Sequence, residues 1–72
     1  MTLTEAKRGD SLRVVAMPAS LVRTQVLRLG IVEESQITCV LNISSGPVVV
    51  RQGTLEVALG RKIASGIEVV RE

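Results

Sequence analysis

A hydrophobic core without aromatic rings has to be assembled from aliphatic groups, and this 72-residue chain contains no Phe, Trp or Tyr. It carries instead twelve valines and five isoleucines against eight leucines. Branching at Cβ restricts χ1 and crowds a helical turn, whereas the same side chains pack well on a pleated surface, so an all-β core is the default expectation. A chain of this length forms one domain, residues 1–72. Folding at this size withdraws only about 60% of the unfolded surface from water, so every large aliphatic side chain counts.

Thr4 is placed to cap a single helical turn through Glu5, Ala6 and Lys7 that Gly9 stops, with Leu3 tucked into the core. Ser11–Met17, dense in apolar and β-branched residues, reads as a first strand ended by Pro18. After Ser20, a candidate N-cap, Val22, Val26 and Leu29 recur at helical spacing with Leu21 beside them, which makes an inward stripe. Gly30 stands where a left-handed or Schellman cap places its C′ residue, and Ile31 is the apolar residue that closes on Val26 in that motif. From Gln36 the period changes to two. Ile37, Cys39, Leu41 and Ile43 then share one face, and Gln36, Thr38, Val40 and Asn42 the other.

Ser44-Ser45-Gly46-Pro47 breaks the chain, Val48-Val49-Val50 resumes it, and Gln52-Gly53 turns tightly into Thr54–Leu59, where Leu55, Val57 and Leu59 alternate. Gly60 precedes a helical segment, Arg61–Ser65, that presses Ile63 and Ala64 inward. Gly66 redirects the chain into a last strand holding Ile67, Val69 and Val70. Gly30, Gly46, Pro47 and Gly53 are thus structural turn positions. Five short strands separated by turns, in a chain too small for two packed sheets, predict a mainly β, small five-stranded barrel, closed or nearly so. One short helix lies between its first two strands, with one or two helical turns elsewhere.

The same composition narrows the chemistry. Histidine is absent and cysteine occurs once, so the imidazoles and clustered thiolates of most catalytic dyads and first-row metal sites are missing. No enzymatic activity, catalytic residue, cofactor or tight metal site is expected. Without aromatic side chains there are also no stacking platforms for single-stranded nucleic acid and no lined groove for proline-rich peptides. Cys39 sits on an inward face between Ile37 and Leu41, where a thiol behaves as a small hydrophobe, and no histidine exists to activate it. The net charge is +2, and the arginines are scattered among acids rather than massed into a phosphate-tracking stripe. No segment approaches the roughly 18 apolar residues of a membrane-spanning helix. Met1–Asp10 lacks the apolar centre of a signal peptide and the lone cysteine suits a reducing compartment, so a cytoplasmic location is expected.

Two arginines are candidate contact residues. Arg28, near the helix C-terminus, complements the macrodipole, whereas Arg23, near the N-terminus, opposes it. A cation placed against local preference points to a partner. The competing reading is a pair of solvated arginines whose aliphatic stems lie over apolar neighbours. Adjacent Glu33 and Glu34 read as a solvated turn.

Four segments follow one another over nearly the whole chain: Arg28-Leu29-Gly30-Ile31 after a helix, Ser45-Gly46-Pro47-Val48, the Gly53 turn with Val57-Ala58-Leu59, and Ala64-x-x-Ile67-x-Val69. In this order and spacing they resemble the ferrous iron transport protein A family. The resemblance implies an SH3-like β-barrel with helical insertions, and a small cytosolic accessory protein of a bacterial ferrous iron transporter. The fold is also similar to the C-terminal domain of iron-dependent repressors, where it regulates rather than binds DNA. The chain departs from the family pattern at three places: Glu33-Glu34 replaces a common Pro-Gly, Ser44-Ser45 replaces an acidic residue before the Gly-Pro turn, and Gly60 stands where an arginine often follows the Ala-Leu pair. The core positions match, so these departures bear on surface recognition more than on the fold.

What the resemblance implies is a non-enzymatic regulator that docks on the cytosolic GTP-binding part of the transporter membrane protein. It would be peripheral at the inner membrane through that contact and would not itself carry the iron. Self-association through an unpaired barrel edge is compatible with this reading. Two other classes stay open. One is a nucleic-acid-binding small barrel, suggested by arginine use and the basic balance, although no nucleic acid is the expected partner. The other is a metal-sensing module binding a transition metal weakly through Cys39, Glu33, Glu34 and similar carboxylates.

Overall fold

The computed structural model describes residues 1–17 and 20–72, with side chains described for all of these except residues 20–22. Five strands, β1 (Ser11–Ala16), β2 (Gln36–Asn42), β3 (Val48–Gln52), β4 (Leu55–Leu59) and β5 (Glu68–Arg71), form one antiparallel sheet in the order β4-β3-β2-β1-β5. Helix α1 (Ser20–Arg28) joins β1 to β2, and a single helical turn, α2 (Arg61–Ala64), joins β4 to β5. The mainly β architecture with one helix between the first two strands is therefore the one the β-branched composition predicts. β4 and β5 are the ends of the ladder, so the barrel is open along one seam, and α2 carries the chain from one side of that seam to the other.

Two bulges coil the sheet. The β1–β5 register shifts between Val14 and Ala16, and the β2–β3 register between Cys39 and Leu41. An extra residue in one strand sharpens the local twist, which is how so short a sheet wraps a core. That core holds Leu3, Leu12, Val14, Val26, Ile31, Cys39, Val48, Val50, Leu59, Ala64, Ile67 and Val69, each at most 1% exposed, and no described polar side chain is buried with them.

The second bulge also corrects the facing expected for β2. Ile37 and Cys39 are buried as predicted, but Leu41 and Ile43 are 40% and 44% exposed. One inserted residue inverts the alternation beyond it, so Asn42 now points inward, donating from Nδ2 to the Thr4 and Ala6 carbonyls at 3.0 and 2.6 Å.

Other boundaries move for identifiable reasons. The first turn is a 3-10 turn over Leu3–Glu5 with Thr2, not Thr4, in the capping position. The Thr2 amide donates to the Glu5 carboxylate at 3.2 Å. The shift follows from the pairing of the first residues with β5: the Met1 carbonyl accepts from Val69 N–H at 2.8 Å, and Leu3 N–H donates to the Ile67 carbonyl at 2.9 Å. β1 stops at Ala16, with Met17 buried just beyond it. Pro18 as a strand stop lies outside the described residues, and the Ser20 capping side chain and the inward stripe positions Leu21 and Val22 fall on side chains outside those described. Val26 is fully buried, but Leu29 is 37% exposed and leaves the stripe. It follows Arg28, the last helical residue, so its side chain no longer keeps the helical phase. Along β4 burial is graded: Leu59 is buried, Val57 half-buried and Leu55 exposed, because the hairpin tip reaches past the core.

Candidate partner-binding face

The end of α1 organises the most conspicuous surface. Gly30 has φ +83, its N–H donates to the Leu27 carbonyl at 3.0 Å, and Ile31 N–H donates to the Val26 carbonyl at 3.3 Å. These are the two bonds of a Schellman cap, and the apolar pair that accompanies it, Val26 and Ile31, is buried in the core. The cap predicted from sequence is present. With Val26 and Ile31 committed inward, Leu27, Leu29 and Val32 stay exposed around the cap. The hairpin reaches the same place, since Gln52 Nε2 donates to the Gly30 carbonyl at 2.9 Å. Gln52 pairs with Leu55, whose side chain is 53% exposed and shares the face of Gln52.

The two candidate arginines border this apolar region and differ in freedom. Arg23 Nη2 donates to Glu33 Oε1 at 3.0 Å, an exposed ion pair that answers the unfavourable position of Arg23 near the helix N-terminus. Arg28 is exposed and makes no ion pair among the described residues. Elsewhere Arg13 meets Glu34 and Glu72, Arg51 meets Glu56, and Arg71 meets Asp10, so much of the arginine content is neutralised within the chain.

Of the turn residues, Gly53 has φ +62 as the first central residue of the turn between Gln52 and Leu55, and Thr54 keeps a negative φ, the pattern of a II′ hairpin. At Gly46 space is the constraint: an added Cβ would lie 3.2 Å from Ile43 Cγ2. Gly46 N–H closes the turn onto the Ile43 carbonyl at 2.9 Å, and the Pro47 carbonyl accepts from Ile43 N–H at 3.4 Å.

Arg61 escaped the sequence reading. Its Nε donates to the Gly46 carbonyl at 3.1 Å, and its Nη2 donates to Asn42 Oδ1 and the Ile43 carbonyl. Through Asn42 this chain of bonds ties α2, the β2–β3 loop and the first turn together. An arginine one position from the family's usual one, on a helical turn facing a Ser-Ser-Gly-Pro loop, was the available signal.

Among the described residues no reactive constellation accompanies these features. Burial pushes the Cys39 thiol above its ordinary value, and the charge of Asp10 adds to the effect. Among the described residues no three of Cys, Asp and Glu converge on one point. What the face offers is apolar contact flanked by a guanidinium without an ion pair among the described residues.

The family profile described as FeoA domain matches residues 1–71. The chain belongs to the FeoA family. The structure is similar over 100% of this chain and 97% of the other to the crystal structure of an iron uptake regulatory protein (FeoA), with a TM-score of 0.92 at 22% identity. The solution NMR structure of the FeoA protein from Chlorobium tepidum matches 99% of this chain and 70% of its own, with a TM-score of 0.84 and 27% identity. A FeoA-like protein from Clostridium acetobutylicum matches 99% and 85%, with a TM-score of 0.84 and 23% identity. No curated protein matches the chain.

Proposed function

We propose that this protein is a small accessory regulator of a bacterial ferrous iron transport system, acting by contact with the cytosolic GTP-binding part of the transporter. The observation that carries the reading is the FeoA match over residues 1–71. The surface supports the mode of action. Leu27, Leu29, Val32 and Leu55 expose apolar area around the α1 cap, and Arg28 supplies a planar, multi-donor cation beside it, a combination suited to an interface. Arg23 joins the contact if Glu33 is displaced by an acidic group of the partner.

In this role the protein works without covalent chemistry and iron passes through the transporter, not through this chain. No helix among the described residues is long and apolar enough to cross a membrane; in this reading the protein reaches the membrane through its partner. A pull-down of the tagged protein from its own cells, with cytosol and solubilised membranes analysed separately by mass spectrometry, tests the reading. The expected result is transporter recovered from membranes; recovery of nucleic acid or unrelated proteins in its place overturns it.

A further inference from the structure

The two ends of the sheet are finished differently. β5 is covered by the first residues, through the bonds of Met1 and Leu3 to Val69 and Ile67 and a bridge from Thr2 to Glu68. At the other end, no described residue beyond β3 is hydrogen-bonded to the backbone of β4. An uncovered edge is a template for another strand, and folded chains commonly block it with Lys, Pro or a bulge. β4 uses none of these. It reads Leu55-Glu56-Val57-Ala58-Leu59 in unbroken register with β3, and its one charge, Glu56, is held by Arg51 at 2.7 Å.

Hairpin geometry identifies the free groups. A two-residue turn makes Gln52 and Leu55 the closing pair, with their N–H and C=O groups facing each other. Antiparallel alternation then directs the backbone groups of Leu55, Val57 and Leu59 toward β3 and those of Glu56 and Ala58 outward. We infer that β4 is a self-association edge on which two copies of this chain pair antiparallel, with Val57 on the two-fold axis.

In that register Glu56 lies opposite Ala58 of the second copy, and the outward N–H and C=O groups of the two residues satisfy one another. Leu55 lies opposite Leu59 of the second copy, so no charge is set against either residue, although Leu59 is already buried in its own core. Moving the axis to Glu56 would set two carboxylates face to face, and moving it to Ala58 would leave Glu56 opposite Gly60, beyond the strand. The strand is self-complementary in one register, and that selects a second copy as the occupant. The inference does not depend on the transport reading.

Sedimentation velocity of the purified full chain from micromolar to millimolar concentration tests it. The wild type should show a reversible monomer–dimer equilibrium. Ala58→Glu sets like charges opposite Glu56 of the second copy and should weaken the dimer about threefold or more, whereas Ala58→Lys sets opposite charges there and should tighten it by a similar factor. Ala58→Pro removes an outward N–H and should abolish pairing. Amide spectra of each variant at micromolar concentration report the folded monomer, and the Glu and Lys variants decide the question even if the Pro variant fails to fold. A wild type that stays monomeric at millimolar concentration, leaving the edge to a strand of another protein, overturns the inference. So do Glu and Lys variants that dimerise as strongly as the wild type.

Discussion

At Gly30 the backbone, not the available space, dictates the residue. An added Cβ would find only Gln52 Nε2 at 3.8 Å, an ordinary contact, but φ is +83. Gly30→Val should therefore cost about 1–2 kcal/mol for the left-handed conformation, with χ1 crowding in addition. Urea midpoints read this directly, and an unchanged midpoint contradicts the cap. Glu34 is the converse case. Its φ is 76 in a non-glycine residue, held there by its N–H donating to the Val14 carbonyl at 2.8 Å. Glu34→Gly should raise stability by about 0.5–1 kcal/mol, relief of the left-handed strain outweighing both the entropy of glycine and a weak exposed contact to Arg13. The cap was legible because the Schellman signature is local. The strain at Glu34 was not, because it is imposed by pairing with β1, and a Glu-Glu pair in isolation reads as a solvated turn.

Among the elements, those whose burial follows one period were readable from the sequence: Ile37 and Cys39 on β2 and Val26 on α1, whereas the run Val48-Val49-Val50 marks a strand but not which of its residues turn inward. Bulges were not, since nothing in Cys39-Val40-Leu41 marks an inserted residue, and the inversion that exposes Leu41 also turns Asn42 toward Arg61. The Arg61 hub lives at this scale. Arg61→Met keeps the stem but leaves the Asn42 side chain and the Gly46 and Ile43 carbonyls without their charged donor, a loss of about 1.5–3 kcal/mol in chemical denaturation; Arg61→Lys should recover only part of it, because an ammonium lacks the fork. Asp10 joins elements electrostatically. Its carboxylate accepts from Lys7 N–H at 2.8 Å and from Arg71 Nε at 3.0 Å, and these bonds, the backbone one foremost, hold its pKa below the ordinary 3.8. A depressed carboxylate stabilises the fold above its unfolded pKa, and that contribution is lost as pH falls through the lower folded value. Acid titration of stability should accordingly be shallower below about pH 4 in Asp10→Asn than in the wild type.

For the molecule as a whole, the absence of aromatic rings and the excess of β-branched aliphatics led to a small β-barrel, and ordered turn motifs led to the family, because both are carried by the core and its turns. The docking face was less legible. Exposure of Leu27, Leu29 and Val32 depends on where α1 ends and on which residues the cap has already drawn inward. The central claim is that this FeoA protein acts on transport through its surface and not through bound metal. The most direct test is uptake of labelled ferrous ion by a strain lacking the native protein, rescued with wild type or with the Arg23→Ala, Arg28→Ala double variant at matched abundance. The wild type should restore uptake and the double variant, still folded, should fall well short, with Arg28 carrying more of the loss because Arg23 is already engaged by Glu33. Full rescue by the double variant, or uptake that does not respond to the wild-type protein, would contradict the account.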